Sequence, residues 1–129
     1  MKKLVLIFTG LSFFIISVAQ TWQPAGDKIK TQWAEKVDPA APLPEYPRPI
    51  LVRTDWQNLN GLWDYAILPK GCATPLKFDG KILVPYPVES SLSGVQKKVG
   101  EENELWYQKA FSIPADWKKK RIILNFGAV

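Results

Sequence analysis

An all-β sandwich is the fold this sequence predicts, and three observations carry it. Short apolar stretches alternate with period two, turn-forming residues separate them, and no long segment has helical periodicity. The strands legible from residue 49 onward number only four or five, too few to close a two-sheet sandwich of about eight. The 129-residue chain is therefore expected to hold part of such a domain, with the missing strands supplied by sequence beyond it.

Residues 1–19, MKKLVLIFTGLSFFIISVA, read as a signal peptide. Lys2 and Lys3 precede an uncharged run from Leu4 to Ala19, and Ser17 and Ala19 place small side chains before a cleavage point at Gln20. The run is 16 residues, short of the ~20 that cross a bilayer, so no stable membrane anchor is expected. A lipoprotein would need cysteine where Gln20 stands. The expectation is export, periplasmic or extracellular.

Residues 20–48 form an N-terminal extension. Asp27–Val37 has the spacing of a short amphipathic helix, with Asp27 as cap and Ile29, Trp33 and Val37 on one face. Five prolines in DPAAPLPEYPRP (38–49) then predict a stiff, extended strap, because proline fixes φ and biases its predecessor to extended geometry.

Residues 49–129 carry the strands. Ile50–Arg53 reads as extended, Asp55–Leu59 as a capped turn, and Asn60-Gly61 as a turn dipeptide. Leu62–Leu68 alternates, with Trp63, Tyr65 and Ile67 on one side. Lys81–Val84 is a strand stopped by Pro85 and Pro87, and 88–104 is loop-like. Leu105–Ile113 alternates again, with Trp106 opposite Tyr107 and Phe111. A polar turn at 114–120 leads to a last strand, Arg121–Val129.

Composition removes several kinds of chemistry. There is no histidine and a single cysteine, Cys72, so no Ser-His-Asp triad, Cys-His pair, internal disulfide or cysteine zinc cluster can be built from this chain alone. No cofactor or metal site is expected. The net charge is +5, and +3 without Lys2 and Lys3, from 15 basic against 12 acidic residues. That is too mild for a polyanion binder, and the run Lys118–Arg121 reads as a solvated turn, so nucleic acid is not an expected partner.

Carboxylates are the remaining acid–base candidates, and nothing in their spacing sets two of them across a cleft. Glu101-Glu102-Asn103-Glu104 reads as a solvated loop. Trp56, Trp63, Trp106 and Trp117 could stack on a sugar ring, but Trp63 has the position of a core residue.

Four phrases give the sequence a resemblance: LPEYPRPILVRTDWQNLNGLWDYAI (43–67), KILVPYPVESSLSGV (81–95), LWYQKAFSIPADW (105–117) and KRIILNFGAV (120–129). In this order they resemble the opening of secreted bacterial enzymes of glycoside hydrolase family 2, the β-galactosidase and β-glucuronidase group. The resemblance implies a galactose-binding-like jelly-roll sandwich, called the sugar-binding domain. An immunoglobulin-like domain and a TIM barrel would follow, the barrel bearing both glutamates of a retaining double displacement.

No catalytic residue is therefore expected among these 129. A β-linked oligosaccharide or glycoside substrate would be met through the barrel, and this sandwich would pack on the downstream domains. The alternative is a stand-alone secreted sugar-binding or adhesion module. The resemblance marks Arg53, Trp56, Asn60, Gly61, Trp63, Pro85, Glu89, Ser90, Trp106 and Tyr107 as signature positions. Among them Glu89, Trp106 and Tyr107 are the candidates for a structural or sugar-rim role. The glutamate of Asn103-Glu104 is not a catalytic candidate, because the family's acid/base lies on a barrel strand.

Overall fold

A computed structural model describes residues 21–27 and 29–127. The expected signal peptide and the last two residues of the expected final strand lie outside them. Among the described residues no helix is long and apolar enough to cross a membrane.

The architecture is all-β. Strands β1 (Gly61–Pro69), β2 (Gly80–Val84) and β3 (Asn103–Gln108) form one open antiparallel sheet in the order β2-β1-β3. Short 3-10 turns at Ala34–Lys36, Pro49–Leu51, Ser91–Ser93 and Ala115–Trp117 punctuate the rest. Gly61 opens β1 with φ +118°, a region that a side chain would strain. Asn60-Gly61 thus launches a strand instead of closing a turn.

Register divides the sheet into two faces. Trp63 stands opposite Ile82, Tyr65 opposite Tyr107, and Ile67 opposite Leu105. Tyr65, Ile82 and Val88 form the buried cluster, with Trp63, Ile67, Val95, Val99 and Leu105 packed against it. The loop after β2 therefore covers this face and supplies Val88, Val95 and Val99. The other face carries Leu62, Asp64 and Ala66, opposite Leu83, Lys81 and Trp106 in turn. Asp64 and Lys81 form a cross-strand ion pair at 2.7 Å.

The proline-rich strap docks through its carbonyls. Asn58 Nδ2 donates to Leu43 O at 3.0 Å and Asn60 Nδ2 to Pro42 O at 3.2 Å. Asn58 Oδ1 in turn accepts from Asn60 N–H at 2.8 Å. The segment expected to be a capped turn at 55–59 serves instead as this strap's anchor.

Four further expectations change. The helix over Asp27–Val37 reduces to the Ala34–Lys36 turn, because Ile29 and Trp33 stay exposed and a short helix with no face to bury does not hold. The extended piece at 50–53 is replaced in part by the Pro49–Leu51 turn, closed by Leu51 N–H on Arg48 O at 2.9 Å.

The third expected strand ends at Gln108, not Ile113. Lys109 Nζ donates to Leu62 O at 3.4 Å and Asn60 O at 3.5 Å. This ammonium occupies the carbonyl that the next rung of the ladder would use. Finally, residues 121–127 are not a strand. Ile122, Ile123, Leu124 and Phe126 are exposed, since alternation without a neighbouring strand makes no ladder.

Candidate functional site

Two of the three site candidates converge. Val88 is buried in the core, and Glu89, beside it in the turn closed by Ser90 N–H on Pro87 O at 2.8 Å, is exposed. Tyr107, on β3, lies on the same covered face of the sheet. Its ring meets Trp63 edge to face, with centroids 6.5 Å apart and planes at 87°. Burial, and then the charge of Glu89, push the Tyr107 phenol above its ordinary value. Lys109 Nζ lies 5.9 Å from the centre of the Trp63 ring. Burial, and then Lys81, draw its ammonium below the usual lysine range.

Beside this group runs a groove of about 410 Å³ lined by Glu89, Gln96, Lys97, Lys98 and Val99. Lys97 N–H donates to Val88 O at 3.1 Å, and Lys97 Nζ sits 5.8 Å over the Tyr65 ring. The groove thus presents one carboxylate, one amide and two cations, one of them over the Tyr65 ring.

The loop that shapes the groove is held by Ser93, which is fully buried. Its Oγ donates toward Ser90 O at 2.7 Å and Val88 O at 3.2 Å, and accepts from Val95 N–H at 3.0 Å and Gln96 N–H at 3.3 Å. One hydroxyl hydrogen serves the two carbonyls in turn. Ser90 caps the turn by accepting from Leu92 N–H, and Gly94 ends it with φ +80°. A Cβ on Gly94 would come within 2.9 Å of Trp22 Nε1, so the N-terminal segment lies directly on this turn. Ala25 N–H donates to Ser91 O at 2.8 Å, and Ser91 Oγ returns a bond to Ala25 O.

Trp106 is on the opposite face, paired with Ala66, as its alternation with Tyr107 requires. Its indole N–H is buried without a hydrogen-bond partner among the described residues, and so is that of Trp22. A smaller cavity of about 220 Å³, lined by Thr21, Trp22, Gln23, Leu62, Lys81 and Gly94, opens beside the N-terminal segment. Trp106 therefore does not join Glu89 and Tyr107.

Sequence reasoning did not find Ser93, Lys97 or Lys109. Ser93 had a signal: Ser90 followed by Ser93-Gly94 is a capped turn with its glycine stop. The two lysines had none, since only tertiary contact sets them against aromatic rings. The acidic cluster is a turn clamp: Lys70 N–H donates to Glu102 O at 2.8 Å, and Glu102 Oε1 accepts from Asn103 Nδ2 at 2.9 Å. Cys72 is free and exposed. Among the described residues no three His, Cys, Asp or Glu side chains gather as a metal would need.

A carboxylate and an amide exchange hydrogen bonds with hydroxyl groups, and aromatic surfaces suit the apolar side of a ring. No protein-family model matches the chain, and no curated protein matches it.

Titration tests the Glu89–Tyr107 proximity directly. Glu89→Gln should lower the Tyr107 pKa, read by ultraviolet absorbance, while leaving it above the ordinary tyrosine value because burial is the larger cause. The sign for stability follows. A phenol whose folded pKa is raised contributes fully below the unfolded value of about 10 and loses that contribution as pH rises through the folded pKa. Glu89→Gln should therefore soften the alkaline loss of stability. An unchanged Tyr107 titration would place Glu89 too far away to act.

Proposed function

We propose that this chain is the non-catalytic N-terminal part of an exported, retaining β-glycosidase of glycoside hydrolase family 2, acting on β-galactosides. The observation that carries the reading is how the four resembling phrases lie on the fold. In family order they fall on the docked strap with β1, on β2 with its covering loop, on β3 with the turn that follows, and on the unpaired apolar segment at 121–127. In this reading the three strands are part of a jelly-roll sandwich. Its role is support: it packs against a catalytic barrel and lends Glu89 and Tyr107 to the rim of the sugar site.

In this reading the catalytic carboxyl groups belong to the barrel and not to this groove. Retaining hydrolysis needs two carboxyl groups about 5–5.5 Å apart. The groove is lined by one, Glu89.

The chain alone is expected to leave nitrophenyl β-galactoside intact, followed by nitrophenol release. Turnover at an enzyme's rate would overturn the reading. So would coding DNA beyond Val129 that does not continue in frame into an immunoglobulin-like domain and a barrel.

A second reading, a stand-alone carbohydrate-binding module, draws on the groove itself. It predicts a sharp cooperative melt for a monomeric chain and galactoside-dependent shifts of the Trp63 and Tyr107 ring signals by NMR. Absence of both would dismiss it.

A further inference from the structure

Strand β3 has one neighbour, β1, and a free outer edge. Lys70 N–H bonds to Glu102 O in register with the β1–β3 ladder, and the antiparallel alternation then fixes every rung. Glu104, Trp106 and Gln108 turn their main-chain groups toward β1. Leu105 and Tyr107 therefore turn theirs outward, and no backbone partner meets them among the described residues. An edge of this kind accepts another strand.

The same chain carries a strand without a sheet. Residues 118–126, KKKRIILNF, join a basic run to exposed apolar residues. Lys120 is held by Asp55 at 2.6 Å, which anchors the start of the apolar segment beside a loop and not beside the sheet. Set parallel to β3, the two sequences match. Lys118 falls opposite Glu101, Lys119 opposite Glu102 and Arg121 opposite Glu104, and Ile122, Ile123 and Leu124 follow opposite Leu105, Trp106 and Tyr107.

An antiparallel arrangement that keeps Ile122, Ile123 and Leu124 beside Tyr107, Trp106 and Leu105 places Arg121 at Gln108 and Asn125 at Glu104, and the charge match disappears. The outer edge of β2 carries no carboxylate, and its Lys81 is already paired with Asp64, so it offers the basic run no partner.

Within one chain the eleven residues 108–118 would have to carry Tyr107 back to Lys119, fewer than the roughly dozen or more a parallel crossover needs, and Lys120 is instead held at Asp55. We infer that the 129-residue chain self-associates by strand addition, the 119–124 segment of one copy pairing in parallel with the free edge of β3 in a second. Reciprocal exchange uses both edges and closes a dimer. This does not rest on the glycosidase reading: it is read from molecular size, that reading from turnover and downstream coding sequence.

Charge-swapped variants of the 129-residue chain test it. In sedimentation velocity the unaltered chain should move from monomer to dimer as concentration rises, and high salt should reverse this. E102K/E104K and K119E/R121E should each lose the dimer. Mixing the two should restore it, because every edge then meets a strand of opposite charge. Hydrogen exchange on the unaltered chain gives a reading free of any folding effect of the substitutions: the Leu105 and Tyr107 amides should gain protection as the dimer forms. A chain monomeric throughout, association that survives either swap, failure to recover on mixing, or a dimer without that protection would each overturn the inference.

Discussion

Replacing Ile82 with alanine is expected to cost about 2–5 kcal/mol, as for large-to-small changes in other buried cores. Ile82 is wholly buried and is one of only three residues at the centre of the main cluster, with Tyr65 and Val88. It stands opposite Trp63 on β1 and lies beneath the loop that supplies Val88, Val95 and Val99. Small domains have only about 5–15 kcal/mol in hand, and this change alone removes much of that.

The measurement is the midpoint of urea unfolding, followed by tryptophan fluorescence. Leu76→Ala is the control. Leu76 is fully exposed, and its truncation should fall within about 0.5 kcal/mol of zero. If the two variants melted alike, the cluster would not be the core.

Ser93→Ala is the second large effect, expected at about 1–3 kcal/mol. Its volume change is trivial, so the loss comes from polar groups. Val95 N–H and Gln96 N–H lose their acceptor, and the carbonyls of Ser90 and Val88 lose a donor, around a hydroxyl that is itself fully buried. The effect should be local as well as global. Val95 and Gln96 amides should exchange faster with solvent, and because Gln96 and Lys97 line the groove, the site should loosen with them. Ser112→Ala, at an exposed position, provides the comparison. Equal stability and equal amide protection in the two variants would remove Ser93 from its role as the clamp.

Both effects concern residues that the sequence marks unequally. Ile82 sits in KILV between turn signals, and its burial is legible from that pattern. Ser93 sits among serines and glycines that read as loop, and a loop reading does not say which hydroxyl is inside. The same difference separates Glu89 from Trp106. The resemblance marked both, along with Tyr107, but the period of a strand sends Trp106 and Tyr107 to opposite faces. Only the path of the loop after β2 brings Glu89 close enough to act on Tyr107, from 18 positions away in the sequence.

What the sequence by itself determined was local. Alternation in 62–68 and 105–108 specified strands and their inward sides, prolines after Val84 stopped β2, and the absence of histidine closed off whole classes of catalysis. Tertiary structure alone decided which alternating segments become strands. Residues 121–127 alternate as well as 62–68 do, yet form no strand, and Lys109 halts β3 by taking a carbonyl of β1. The physical reason is that a strand's hydrogen bonds are made with another segment. Periodicity records which side of a strand prefers to be dry, whereas pairing depends on a partner that the strand's own residues do not specify.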